Sequence, residues 1–342
     1  MLEYRQIKFV VKMNNGNNIY VCVTENEHRL ATDIVENLRK DCLDGEVIEI
    51  GNTLSRFKNG EQKPVLTDSV RRKEIFLIWT IQEHIDTEIL KLMFYVDALR
   101  RAGASHIRVL MPFFPYARQD KKKGREPISA SMLARIYESI GVDHTITVHL
   151  HNAAIEGFFF NQFDKIGTQK LFLHAIENYC KEKYGHFNPK EWMLIFPDEG
   201  MAKQVRELSE RIHAGGYGGF AKHRIQDNEV DKMEFFGECR GKNAIIFDDI
   251  VDTGGTLNKA GGQLVKVEGA NKVLAAITHP LLNGEAPEIL QNSCFEKIFV
   301  TDSVYISKEK RFEKLFDVSL APMLAQVIYK ISKDAYVSAN NW

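Results

Sequence analysis

Long apolar runs are missing from this chain. No stretch of its 342 residues reaches the length a membrane-spanning helix needs, about 20 apolar residues, and the N-terminus carries no cation-then-apolar signal. A strong charge of one sign is missing too. With 45 basic and 46 acidic residues the formal net charge is −1, which excludes bulk electrostatic attraction to nucleic acid or to a membrane surface. Cysteine is scarce: there are five, at 22, 42, 180, 239 and 294, an odd number with no C-x-x-C pair. They read as reduced thiols, and the expected location is cytoplasmic. Neither an internal repeat nor a low-complexity segment is found. What is present, 44% apolar and 27% charged residues, fits a chain with a real core and length enough for two domains.

One stretch organises the rest. Residues 244–257 read AIIFDDIVDTGGTL. The apolar run 244–247 predicts a buried strand. Asp248 and Asp249 follow at once, then Asp252 and the turn Thr253-Gly254-Gly255-Thr256, then a helix over 257–269. Glycines let backbone N–H groups crowd round an anion, and a helix N-terminus favours negative charge. Thr253 and Thr256 add hydroxyl donors. The acids repel a phosphate but can bind sugar hydroxyls or a hydrated divalent ion. One loop could therefore hold a ribose phosphate by both ends.

Around it the chain alternates strands and helices, which predicts parallel sheets covered on both faces. Residues 7–11 and 19–23, with an Asn/Gly turn between them, predict a hairpin. A helix is expected over 27–40 and strands over 46–50 and 75–79. Asp86 is expected to cap the next helix, which Gly103 closes. A strand over 107–111 runs into Arg118, Gln119 and a cationic loop, Lys121 to Arg125, beyond the strand end where open α/β sheets place ligands. Ser129 is expected to cap a further helix. A strand over 145–149 leads to His149 and His151, whose alternate spacing would point both to one side. A linker is expected near 162–167. Residues 192–196 form a strand that ends in Pro197-Asp198-Glu199-Gly200, and helix 202–213 follows. A polar stretch from 220 to 229 contains Lys222 and Arg224. Strands over 272–278 and 296–301 precede a last helix opened by Ala321-Pro322. Earlier, Ser55-Arg56-Phe57-Lys58-Asn59-Gly60-Glu61 offers an aromatic face for a base, beside Asn59 and Glu61 for hydrogen bonds.

The acidic loop resembles the ribose-phosphate signature of type I phosphoribosyltransferases and ribose-phosphate pyrophosphokinases. The R-F-x-x-G-E loop at 56–61 and the A-R-Q-D segment at 117–120 resemble the second family alone, and five motifs stand in its order. The resemblance implies two type I phosphoribosyltransferase-like domains, each a mainly parallel sheet flanked by helices. Residues 1–164 would form the ATP side and 165–320 the ribose-phosphate side, with the last helix, 321–342, packing back on the first. It assigns Phe57, Asn59, Glu61, Arg118, Gln119 and His151 to ATP, with the 57–61 loop serving a neighbouring subunit. It assigns His151 and Asp198 to Mg2+, Lys222 and Arg224 to catalysis, and Asp248, Asp249, Asp252, Thr253, Gly254, Gly255 and Thr256 to ribose 5-phosphate. A homo-oligomer, dimer or hexamer, is implied.

The chain departs from the family pattern at several places. Asn59 stands for an Asp, His149 for an Asp, Ala154 for a Gln, Met201 for a Gly and His223 for an Arg, and Glu199 also differs. The reaction implied is transfer of the β,γ-diphosphoryl group of MgATP to the anomeric hydroxyl of ribose 5-phosphate. Two alternatives stay open: the same transfer to a larger acceptor such as ADP-ribose, and a non-catalytic regulatory member of the family.

Overall fold

The computed structural model describes residues 18–24, 28–42, 45–81, 84–197, 199–223 and 232–335. The first half contains β1 (Ile19–Val23), α1 (Leu30–Asp41), β2 (Val47–Glu49), β3 (Asn52–Arg56), β4 (Gln62–Leu66), β5 (Glu74–Ile78), α2 (Ile85–Arg101), β6 (His106–Met111), α3 (Ser129–Ser139), β7 (His144–Val148) and β8 (Gln162–Ile166). The second half contains α4 (Gln169–Tyr184), β9 (Trp192–Phe196), α5 (Ala202–Ile212), β10 (Gly216–His223), β11 (Lys232–Phe236), β12 (Asn243–Val251), α6 (Gly255–Lys266), β13 (Val273–Pro280), α7 (Ala286–Gln291), β14 (Lys297–Thr301), β15 (Leu315–Val318) and α8 (Ala321–Ser332).

Two sheets result. One is wholly parallel, in the order β2-β1-β5-β6-β7-β8. The other runs β11-β10-β9-β12-β13-β14-β15 and is parallel except for the β10–β11 pair. The alternation of side chains along a strand shows why both faces are covered. In β5, Ile75 and Leu77 face one core with α2 and α3, while Phe76 and Ile78 face another with α1 and α8. In β12, Ala244 and Ile246 join the core under α6, whereas Ile245 and Phe247 join that under α4 and α5. Strands buried on both sides leave polar groups only their ends to occupy.

In each sheet the strand order reverses. The chain leaves β1 for β2 and returns on the other side at β5, and it leaves β9 for β10 and returns at β12. A crevice opens at such a reversal outside the carboxyl ends of the strands. The carboxyl end of β12 is Asp248 to Val251, so the acidic loop stands at the second reversal.

Several expectations change. Both edges of β1 are taken by parallel partners, so Ile19–Val23 is not one arm of an antiparallel hairpin; residues 7–17 lie outside the described residues. The segment 162–167 is not a linker but largely β8, the edge strand of the first sheet, and the expected boundary at 164/165 falls within it. Helix α2 is capped by His84, in the left-handed region at φ 51°, and not by Asp86, whose carboxylate accepts from the Tyr116 hydroxyl. Ser129 is the first residue of α3 rather than its cap, and its hydroxyl donates to Gln119 Oε1 at 2.6 Å. Strand β12 runs on to Val251, beyond the apolar run, and α6 spans Gly255–Lys266, starting and ending earlier than the expected 257–269. Of the polar stretch 220–229, residues 220–223 belong to β10 and the rest lie outside the described residues. The segment 52–66 forms an antiparallel hairpin, β3–β4, which the alternating pattern did not reveal.

Helix α8 follows the second sheet in sequence yet packs on α1, beneath the first. Leu324, Val327 and Ile328 are fully buried there. Leu324→Ala should therefore cost about 2–5 kcal/mol. Urea unfolding measures it; a loss below about 0.5 kcal/mol, the range of surface substitutions, would show that α8 is dispensable to the fold.

Candidate functional site

Every expected site residue among the described ones lies at a strand's carboxyl end, in the loop after it or at the start of the following helix, apart from Lys222 and the 57–61 turn. Arg118 and Gln119 follow β6, and His151 follows β7. Asp248, Asp249 and Asp252 end β12 or follow it. A cleft of about 590 Å³ opens between the sheets; of the expected residues Arg118 and Gln119 line it, whereas His151, Asp248, Asp249, Asp252 and the 253–256 turn do not. Ile81, Phe113, Tyr116, Arg118 and Gln119 line it from the first sheet's side, and Ile250, Leu281, Asn283, Tyr305 and Lys310 from the second's.

Among the expected site residues, two pairs join the halves. Arg118 Nη2 donates to Asp252 Oδ2 at 2.7 Å. His151 Nδ1 lies 2.7 Å from Asp249 Oδ2. Asp249 is buried, which alone would raise its carboxyl, yet its bond to His151 together with the His149 and His151 charges and an Asp248 bond hold it well below the usual carboxylate range. Burial pushes His149 itself down to about 4, so at neutral pH His149 carries no charge and the His151 bond dominates. An ionised Asp249 can only accept. Nδ1 of His151 therefore donates; in the neutral form of the ring the lone pair is then on Nε2. A histidine held this way by a carboxylate is the usual arrangement of a metal-binding imidazole.

Among the described residues no three His, Cys, Asp or Glu side chains form a closed metal cage. Mg2+ does not need one, because it keeps waters and takes one or two carboxylates with substrate phosphates. Asp198 lies outside the described residues, as does Arg224. Lys222 is on β10, its backbone in register with Met233 of β11.

The 253–256 turn is formed as its residue types require. Gly254 has φ 76° and caps α6, and a Cβ there would meet Leu290 at 3.2 Å, so any other residue is strained. Thr253 and Thr256 are exposed beside the helix's first N–H groups. Phe57, Asn59 and Glu61 stand apart. They form the tip of the β3–β4 hairpin, where Glu61 N donates to Asn59 Oδ1 at 3.2 Å, and none of them lines the cleft.

Asn283 and Lys310 escaped sequence reasoning. Asn283 Nδ2 donates to Asp252 Oδ1 at 2.9 Å, and Lys310 Nζ reaches Asn283 Oδ1 at 3.2 Å. They lie 31 and 58 residues beyond Asp252 (283 − 252 and 310 − 252), and no local pattern marks them. His149 and His151 do not share a direction as their spacing implied. His149 follows β7 with φ 41° and turns into the interior, while His151 faces Asp249. Met201 is no site residue either: it is buried against the core under α5.

Known proteins were compared with this architecture. The chain matches the N-terminal domain of ribose phosphate pyrophosphokinase over residues 19–141 and the phosphoribosyl synthetase-associated domain over residues 223–339. It is 32% identical over 329 residues to the ribose-phosphate pyrophosphokinase of Clostridium acetobutylicum, covering 95% of this chain and 98% of that one. The chain belongs to the ribose-phosphate pyrophosphokinase family. The Thermosipho africanus member is 36% identical over 286 residues, 83% of this chain and 87% of its own. The crystal structure of phosphoribosylpyrophosphate synthetase from Mycobacterium smegmatis superposes with a TM-score of 0.82 at 29% identity, covering 93% of this chain and all of that one. Both sheets are thus phosphoribosyltransferase-like units, as the motifs implied. Among the described residues, no helix is long and apolar enough to cross a membrane.

The Asp252 carboxyl is drawn below its ordinary value. Burial opposes this, but the Arg118 and Asn283 bonds and the Arg118 and Lys310 charges outweigh it. A depressed carboxyl contributes stability above its unfolded value, about 3.9, and loses it as pH falls through the folded value. The destabilisation caused by Arg118→Ala should therefore be measurable at about pH 6 and fade toward about pH 3. Urea midpoints at the two pH values check this; a pH-independent difference would mean that Arg118 acts through packing.

Proposed function

We infer that this chain transfers the β,γ-diphosphoryl group of MgATP to the anomeric hydroxyl of ribose 5-phosphate, giving 5-phosphoribosyl 1-diphosphate (PRPP) and AMP. The observation that carries the reading is the apposition of the Arg118–Gln119 segment and the Asp248–Thr256 loop across one cleft, joined by the 2.7 Å Arg118–Asp252 bond, in a member of this family. One face of the cleft has the chemistry for a nucleotide and the other for a sugar phosphate.

In this reading the first sheet's side, with Arg118, Gln119 and His151, receives ATP. The second sheet's side receives ribose 5-phosphate: Asp248, Asp249 and Asp252 orient the hydroxyls, and Thr253, Gly254, Gly255 and Thr256 hold the phosphate at the start of α6. A division into two units after β8, later than the expected 164/165, belongs to the same proposal. Mg2+ held by His151 and Asp198, with the β12 carboxylates nearby, would supply charge neutralisation of the triphosphate when bound. The anomeric oxygen attacks the β-phosphorus, AMP leaves, and the proton is lost from the attacking hydroxyl. Little covalent work falls to the protein. Its task is alignment and stabilisation of the developing charge, which we assign to Lys222 and Arg224. The five free cysteines accord with a cytoplasmic setting.

Two of the departures that left a larger acceptor open do not widen the cleft: Met201 lies in the core and His149 is buried between the sheets. Ribose 5-phosphate is accordingly the acceptor proposed. Incubation with MgATP and ribose 5-phosphate should yield AMP and PRPP in equal amounts; AMP without PRPP, or neither, overturns the reading.

Lys222→Ala and Arg224→Ala should each lower kcat by about 10²–10³ while nucleotide binding survives. Turnover within a few-fold of the parent for both would remove them from catalysis. Because Phe57, Asn59 and Glu61 are remote from the cleft of their own chain, we propose that they contact ATP bound to a neighbouring copy. Mixing Phe57→Ala chains with Lys222→Ala chains should then recover activity through hybrid sites. Failure to recover, with subunit exchange demonstrated, refutes the shared site.

A further inference from the structure

Behind the cleft the two sheets are sewn together by a buried set of polar side chains. His149 stands at its centre, 4% exposed. Its Nδ1 lies 2.8 Å from Thr278 Oγ1 on β13, and that oxygen lies 2.9 Å from Thr168 Oγ1, on the segment joining β8 to α4. The His149 carbonyl lies 2.9 Å from His279 Nε2. A carbonyl only accepts, so His279 Nε2 donates. Burial lowers the pKa of His279; its Nδ1 lies 2.9 Å from Ser303 Oγ, whose hydroxyl donates to the Thr278 carbonyl at 2.8 Å. Residue 149 of the first sheet is thus held by side chain and backbone to two consecutive residues of the second.

The contacts close a ring. Strand β13 is the hydrogen-bonded neighbour of β12, with Ile277 opposite Asp248 and His279 opposite Ile250. Asp249 on β12 binds His151, two residues beyond His149. The path from His149 through β13 and β12 to Asp249 therefore returns through His151 to its start. Two costs are accepted at His149. Its φ of 41° is in the left-handed region, and its Nε2 is buried without a hydrogen-bond partner. Strain and an unsatisfied polar atom at one residue persist only where surrounding contacts over-determine it, and such residues gather at functional sites.

We propose that His149 is a positioning residue: its bonds to Thr278 and His279 lock the carboxyl end of β7 to β13 and so set His151 against Asp249. The effect on turnover rests on the function proposed above; the lock itself does not. A plain core histidine would stabilise the fold without governing the site, and the two cases separate by substitution. An Asn side chain presents an amide where His149 has Nδ1, and Asn tolerates positive φ. A Gln reaches only toward the Nε2 position.

His149→Asn and Thr278→Ser should stay within about threefold of the parent in kcat. His149→Gln and Thr278→Val should lose about 10²-fold, the scale of a misplacement near 1 Å, with little change in KM for ribose 5-phosphate. The double variant His149→Gln/Thr278→Val should be no worse than either single one, since the two share one bond. Hydrogen exchange followed by mass spectrometry gives a readout independent of turnover. Peptides covering 149–155 and 248–256 should exchange faster together in the Gln and Val variants and not in the Asn and Ser variants. Coupled protection lost in both peptides supports the lock even if the parent makes no PRPP. The proposal is overturned if Asn performs no better than Gln in either readout, or if losses follow thermal stability alone and exchange rises across the whole chain.

Discussion

Parallel sheets buried on both faces allow polar chemistry only where strands end. That constraint shapes this protein. Within β5, β9, β12 and β13 nearly every side chain is buried, and each sheet spends its alternation on two separate apolar cores. The acids, histidines and cations of the site then have one common location, the carboxyl ends, and the reversal of strand order between β9 and β12 opens the crevice in which a ligand can reach them. Facing the two sheets' carboxyl ends across one cleft brings Arg118 and Asp252 together over 134 residues of chain.

The charges gathered there must be balanced before any ligand arrives. Asp249, buried, remains ionised because His151 donates to it; Asp252 remains ionised because Arg118 and Asn283 do. Neither contact is a large source of stability. Arg118 is half exposed, and ion pairs of that kind contribute about 0–1 kcal/mol. Their value lies in orientation. The same bond that keeps Asp249 charged orients the His151 ring, and the bond that holds Asp252 draws the two sheets' sides of the site into one electrostatic unit.

What could be read from the sequence divides along the same physical line. Local signals were legible. The run 244–247 and the glycines at 254 and 255 announced the strand, turn and helix start because each depends on residues a few positions apart. The periodicities of α2, α5 and α8 were equally plain. Misreadings arose where tertiary pairing decides. Ile19–Val23 looks like half of a hairpin because its pattern cannot say that β2 and β5 will occupy both its edges. The segment 162–167 looks like a linker because an edge strand carries polar residues. The β3–β4 hairpin, with Pro64 in it, lacks the alternation of a half-buried sheet. Asn283 and Lys310 are invisible in sequence, since their roles come from a cleft that only the folded chain assembles. His149 and His151 were seen, but strand alternation could not foresee that a positive φ at 149 sends one ring inward and leaves the other facing Asp249.

The hairpin completes the physical picture. Two antiparallel strands alone are marginal, yet this pair is anchored at its base: Tyr95 donates to Asn52 Oδ1 at 2.8 Å, and Asn52 Nδ2 donates to Val23 O at 3.1 Å. The mount is firm while the tip is bare, with Phe57 53% exposed. A phenyl ring held out on a well-anchored arm gains nothing for its own chain's core, and it lines no part of its own chain's cleft. In the function proposed above, such an arm would reach a second copy's nucleotide, so that each copy completes its neighbour with residues that do not line its own cleft.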